Sequence, residues 1–229
     1  MKVRVIFSKF GPVKFIGHLD IMRFFQKAIR AAGIPVKYTE GFSPHQVLSF
    51  AAPLGVGVES EREYFDLELT SLEGKENFIA NLNAQMCEGM AIKEMYLLPE
   101  KEKNAMASVK GASYRILFEH EAALAKLSEA VEAFEKAECV NFEKETKTGV
   151  SVRNLKEAVY DISVKENMLY FTCDASSGGN LKPGNLLKAL FAPFGISLEQ
   201  WEYHVIREEV YKEDADGKLV SLIGGFESI

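Results

Sequence analysis

Residues 2–35, KVRVIFSKFGPVKFIGHLDIMRFFQKAIRAAGIP, change their hydrophobic period once, and that change decides the fold. Val3, Val5 and Phe7 alternate with Lys2, Arg4 and Ile6, the period of a strand with one buried face. Gly11-Pro12 breaks the strand, and residues 13–16 resume as a short extended segment. From Leu19 the spacing becomes three and four. Leu19, Met22, Phe25, Ala28 and Ile29 fall on one face of a helix predicted to run to Ala32, with Phe24 widening the stripe. Asp20 in the first turn and Arg30 in the last suit the helix dipole. Gly33 ends the helix, and Ile34-Pro35 prevents its continuing.

Outward from this unit, strands are expected over residues 36–40, 46–51, 64–69 and 91–98. A helix over 74–89 carries Phe78, Leu82 and Met86 at spacing four. Glu100-Lys101-Glu102-Lys103-Asn104 is charged and apolar-free, and marks a boundary. The order then restarts: a strand over 114–118, a helix over 121–137 with Leu124, Leu127, Val131 and Phe134 on one face, and a strand over 140–143. A loop is expected around Gly149. A hairpin over 159–164 and 168–173 turns at Glu166-Asn167, and a helix over 184–192 and a strand over 197–207 close the pattern. Each half reads strand, helix, strands, helix, strand. The expected fold class is α+β: two ferredoxin-like (split βαβ) domains, antiparallel sheets with helices on one face. The domains are residues 1–99 and 108–210, and 211–229 form a loose tail.

The chain has 229 residues, 47% hydrophobic and 26% charged, which excludes a disordered or disulfide-built protein. No apolar run is long enough to span a membrane, and the first residues read as a strand rather than a signal peptide, so the expected location is cytoplasmic. Cys87, Cys139 and Cys173 are far apart, in no C-x-x-C pattern, and are read as buried free thiols; neither a metal nor a cofactor is expected.

The net charge of −6 argues against non-specific nucleic-acid binding by the whole chain. Its distribution is uneven. Residues 1–50 hold Lys2, Arg4, Lys9, Lys14, Arg23, Lys27, Arg30 and Lys37 against Asp20 and Glu40, a balance of +6. Such a segment suits an anionic ligand, a nucleic-acid backbone first, although the same cations can simply solvate element faces.

Small, aromatic, basic and histidine residues cluster in the loops of residues 10–66, where function concentrates. His18, Asp20 and His45 supply the residue types of a two-histidine, one-carboxylate metal site, but no further acidic ligand stands beside them. His18 and His45 with Lys or Arg also supply the base, acid and cation of phosphodiester cleavage. The third reading is recognition. Arg23, Lys37, Ser43, His45 and Ser49 would bind phosphates, while Phe42 or Phe50 stacks a base. His18, Arg23 and His45 are expected on one concave surface. Ser176 to Pro183, SSGGNLKP, opens a helix, and its amides with Lys182 would hold a phosphate. The spacings of a P-loop and of a dinucleotide-binding glycine motif are absent.

Gly17-His18-Leu19-Asp20-Ile21-Met22-Arg23, Gly41-Phe42-Ser43-Pro44-His45-Gln46-Val47-Leu48-Ser49-Phe50 and Pro53-Leu54-Gly55-Val56-Gly57 occur in one run. That run resembles the radical-SAM-associated family of uncharacterised bacterial proteins. Members are similar in an S-H-L-D-x-x-R helix start, where Gly17 here replaces the usual Ser. The likeness covers residues 1 to about 70, and Gly178 to Pro183 agree more loosely. The resemblance implies a domain fused to, or encoded beside, a radical SAM protein, in the neighbourhood of an endoribonuclease and ribosomal proteins. The chain lacks the C-x-x-x-C-x-x-C motif, so it cannot carry that iron–sulfur centre itself.

The expected function is therefore an RNA- or ribosome-related binding module, without catalytic activity of its own, acting with a separate radical SAM protein as partner. The alternatives are a metal-independent endoribonuclease using His18 and His45, and a protein–protein adaptor.

Overall fold

A computed structural model describes residues 1–146 and 149–229, and side chains outside 143–151. In chain order the elements are β1 (Lys2–Lys9), α1 (His18–Ala31), β2 (Leu48–Phe50), β3 (Val58–Glu68), α2 (Phe78–Asn83), β4 (Met90–Leu98), α3 (Ala105–Ser108), β5 (Gly111–Phe118), α4 (Glu121–Lys136), β6 (Asn141–Thr146), β7 (Gly149–Asn154), α5 (Leu155–Ala158), β8 (Val159–Lys165), β9 (Met168–Asp174), α6 (Pro183–Phe191), β10 (Tyr203–Glu213), β11 (Leu219–Ser221) and β12 (Glu227–Ser228). The fold is mixed α+β. Gly149 opens a strand, and the rest of the loop expected there falls on 147–148, outside the described residues. Among the described residues, no helix is long and apolar enough to cross a membrane.

The chain divides into two compact units: residues 1–110 with 209–229, and residues 111–208. In the first, the strand order is β12–β4–β1–β3, with β2 on β3. Each of these pairings is antiparallel, and the register sets Val3 against Leu67 and Val5 against both Phe65 and Met95. These side chains form one face. Ile21, Phe25 and Ile29 of α1 and Phe78 and Leu82 of α2 pack on it. Phe7, Phe25, Phe50 and Phe65 meet there, Phe7 and Phe25 edge to face at 4.7 Å. The buried face of α1 is rotated from the expected one: Leu19 is exposed and Ile21 is buried.

β1 is buried on both faces, contrary to its alternating pattern. Ile6, Ala51 and Tyr64 form a second apolar layer with Ala105, Val210 and Leu222. The tail expected to be loose therefore belongs to the first unit. Its β11 pairs with the end of β10 and its β12 with β4. One fully buried residue, Leu222, anchors it, and the apolar run Leu219 to Ile223 that holds it is too short to stand out beside the acidic and glycine residues.

In the second unit the order is β5–β9–β8, again antiparallel, with β6–β7 as a separate pair. Glu166 and Asn167 both have positive φ (50° and 62°), as a two-residue hairpin turn requires. α4 buries Ala123, Leu127, Val131 and Phe134, while Leu124 is exposed. α6 buries Leu186, Leu187, Leu190 and Phe191.

Other expectations need correction. Residues 11–15 form a 3-10 turn, and residues 36–40 make only single bridges, Val36 with Leu69 and Tyr38 with Gln46. The helix expected over 74–89 shrinks to α2 after a 3-10 turn. Cys87 and Cys139 are exposed, and only Cys173 is buried. Cys87 lies beyond the early end of α2, outside any helical face.

Candidate nucleic-acid interface

Helix α1 buries Ile21, Phe25, Ala28 and Ile29, which leaves Arg23, Lys27 and Arg30 exposed. At 100° per residue, positions 23, 27 and 30 lie within about 60° of one another around the helix. They form a single cationic stripe. Asp20 reaches Arg23 at 3.1 Å in an exposed pair that water screens well.

The loop of residues 37–45 is fastened beside this stripe. Gln46 is buried, and its Nε2 donates to the backbone oxygen of Gln26, in the third turn of α1, at 3.0 Å. The same nitrogen donates to the Tyr38 hydroxyl at 3.5 Å. Hydrogen bonds from Gln46 and from Arg30 pull that hydroxyl's pKa below its ordinary value. Within the loop, the Thr39 N–H donates to the His45 carbonyl at 2.8 Å, and the His45 N–H donates to Thr39 Oγ1 at 3.1 Å. The His45 ring shares a 3.1 Å hydrogen bond with the same hydroxyl. Phe42 stands fully exposed at the tip, with Ser43 exposed next to it. Lys37 is exposed and pairs with Glu68 at 3.4 Å. Arg23, Lys27, Arg30, Tyr38, Phe42 and His45 thus make a basic and aromatic surface on a braced support.

His18 lies elsewhere. It opens α1, with its ring edge to face on Phe50 at 5.3 Å. It lines a cavity of about 10 Å³ with Lys9, Leu54 and Glu63, room for about one water and no base. Burial lowers its pKa, and Lys9 adds to this while Glu63 opposes it. Lys9 is itself buried, and its ammonium donates to the Ile16 carbonyl at 2.9 Å. The fastening of Gln46 to Gln26 puts the His45 loop eight residues along α1 from His18, about 12 Å of helix rise. Among the described residues, His18 meets Phe50, Lys9 and Glu63 while the His45 ring meets Thr39, so no described contact joins the two histidines. Among the described residues, no group of three or more His, Cys, Asp or Glu side chains has a metal-binding arrangement.

Ser49 and Phe50 also depart from expectation. Ser49 pairs with Asp66 in the β2–β3 register, and its hydroxyl is buried without a hydrogen-bond partner among the described residues. Phe50 belongs to the aromatic core and cannot stack a ligand base.

Arg4 is the residue whose role sequence reading missed. It is fully buried. Its guanidinium grips Asp66 through two hydrogen bonds of 2.7 and 3.0 Å and donates to the carbonyls of Leu222 (2.6 Å) and Lys103 (3.1 Å). Asp66 also accepts from the Ala105 N–H at 2.7 Å. Arg4 and Lys9 therefore leave the set of cations open to a ligand.

Lys182 is exposed at the N-cap of α6. The turn before it is not a phosphate cradle. The N–H groups of Gly179 and Asn180 donate to the Ser176 carbonyl, and that of Leu181 to the Asp174 carbonyl.

Residues 2–183 match a family described as an uncharacterized protein conserved in bacteria (DUF2344). No curated protein matches the chain. Two solved structures are similar in part. One is a chain of a Cbf5-Nop10-Gar1 complex: TM-score 0.44, 11% identity, 92% of this chain and 50% of that one. The other is a chain of the archaeal box H/ACA sRNP Nop10-Cbf5 complex: TM-score 0.38, 10% identity, 89% of this chain and 46% of that one. The chain spans about half the length of these structures, and a likeness at this level carries no argument about activity.

Proposed function

We propose that this chain, which belongs to the DUF2344 family of uncharacterized bacterial proteins, binds single-stranded RNA through the exposed face of α1 and the loop of residues 37–45. The observation that carries this reading is Phe42, a fully exposed phenylalanine on a loop fastened beside Arg23, Lys27 and Arg30. Single strands are held by stacking unpaired bases on aromatic rings while cations neutralise phosphates. A phenylalanine with no apolar neighbour gains by burying its ring against a base. His45 and Tyr38 add ring surface, and Lys37 extends the positive field.

The finer readings belong to the same proposal. The motifs at Gly17–Arg23 and Gly41–Phe50 support a binding module that works beside a separate radical SAM protein in the cytoplasm. The recurring order of strand, helix, strands, helix, strand supports the split βαβ reading of each half. The endoribonuclease alternative lacks the support that a contact between His18 and His45 would give it.

The test is fluorescence anisotropy of a labelled single-stranded RNA against a salt series. Phe42→Ala is expected to weaken binding about tenfold, within the range for one stacked base. Arg23→Glu and Lys37→Glu should weaken it more than Lys182→Glu. Loss of one cation, as in Lys27→Ala, should lower the salt slope by about 0.7. Binding that ignores Phe42→Ala and the α1 charges overturns the reading. A protein captured through this surface, with no RNA bound, would favour the adaptor instead.

A further inference from the structure

We propose that the second unit holds a binding site for a single nucleobase, in the cavity where β6 and β7 face the turn before α6. The cavity measures about 530 Å³, within the ~300–1,000 Å³ typical of small-molecule sites. One wall is Phe142 and Arg153. They are direct partners in the β6–β7 register, so their side chains leave the same face as neighbours. A phenyl ring beside a guanidinium offers two planar surfaces on which a heterocycle can stack. The guanidinium is steadied by its hydrogen bond to the Gly178 carbonyl at 3.0 Å.

The lining also includes Asn180 and Asn185, from the turn before α6 and from α6 itself. Among the described residues neither side chain has a hydrogen-bond partner, which leaves each amide a donor and an acceptor toward the described lining. That pairing matches the edge of a base, where a donor and an acceptor stand side by side. Gly179 keeps this turn close: a Cβ there would lie 1.6 Å from the Asp174 carboxylate.

Charge decides between a base and a phosphate. Among the described residues of the lining, Arg153 is the single cation, against the carboxylates of Asp174 and Glu157. The nearest backbone amides are already spent inside the turn. A phosphate would meet net negative charge without free N–H groups, whereas a neutral heterocycle that both donates and accepts meets partners. The site belongs to the second unit and the α1 interface to the first, and it takes either a free nucleoside or a base of a bound RNA.

The test is isothermal titration of the full chain with adenosine, guanosine, cytidine and uridine, with ribose and inorganic phosphate as controls. At least one nucleoside is expected to bind at about millimolar or tighter, and the controls are not. Asn180→Leu with Asn185→Leu should weaken that binding about tenfold or more, the scale of two lost hydrogen bonds. Arg153→Lys, which keeps the charge and removes the plane, should weaken it as well. Displacement of labelled RNA by the nucleoside would identify the ligand as an RNA base, and retention would identify it as a free nucleoside. No nucleoside binding above the ribose control, or binding indifferent to the substitutions in variants that keep the parent circular dichroism, overturns the proposal. RNA affinity through α1 is read separately, so either idea can fail alone.

Discussion

At the scale of the residue, Arg4 and Asp66 show where periodicity stops informing. Arg4 sits between Val3 and Val5, in the phase that usually meets water, and Asp66 occupies the polar phase of β3. A charge in that phase reads the same whether water or a buried partner awaits it, because the partner lies 62 residues away. The burial predicts a sharp asymmetry. Asp66→Ala leaves a guanidinium without its anion and costs about 3–5 kcal/mol. The paired change Arg4→Met with Asp66→Leu is expected to cost less than the sum of the single changes, because it removes both charges together. It still leaves the Leu222 carbonyl and the Ala105 N–H unserved. Urea unfolding of the two single variants and the double variant measures the difference. Costs that simply add would contradict a coupled buried pair.

At the scale of the element, α1 was readable to within one residue at each end, since its apolar spacing, its acidic first turn and Gly33 all agree. The helix expected over 74–89 was not. Its apolar spacing continues past the true end, but Asn83 takes the chain out of the helix. Its side chain donates to the Ile92 carbonyl at 2.9 Å and accepts from the Ile92 N–H at 2.8 Å, in place of a strand neighbour. A partner nine residues on leaves no mark in the spacing. Asn83→Leu leaves both backbone groups of Ile92 unpaired and is expected to cost about 1–3 kcal/mol. Faster amide hydrogen exchange at Ile92 and a lower melting temperature would register it; unchanged exchange would mean that water replaces the side chain. The surface of α1 follows similar logic. The helix was legible, but its fastening to the 37–45 loop runs through the Gln46 side chain and a backbone carbonyl, which no motif announces.

At the scale of the whole molecule, the mixed α+β class followed from the order of elements, whereas the way the chain fills its two units did not. Acidity and glycine made residues 211–229 look loose, but Leu222 and the Arg4 guanidinium hold them. The boundary string at 100–104 is tied to the first unit through Lys103 and through Glu102, which meets Lys212 at 3.2 Å. A fragment ending at residue 208 should therefore melt well below the full chain, with Ile6, Ala51 and Tyr64 uncovered. A fragment of residues 111–208 retains the whole of its unit. Circular dichroism melts of both fragments check this, and a 1–208 fragment as stable as the full chain would show that the C-terminal residues contribute nothing.

The division of the first unit between residues 1–110 and 209–229 also bears on synthesis. A nascent chain leaves the ribosome N-terminus first, and domains generally fold as units as they emerge. Here the unit that begins first cannot be completed first, because part of the second apolar layer and one acceptor of Arg4, the Leu222 carbonyl, follow residues 111–208 in the chain. Residues 111–208 are contiguous and have all their partners in hand earlier. Until residues 209–229 have been made, the nascent protein carries an apolar sheet face without its cover and an arginine short of one acceptor, so the unit that starts first is completed last.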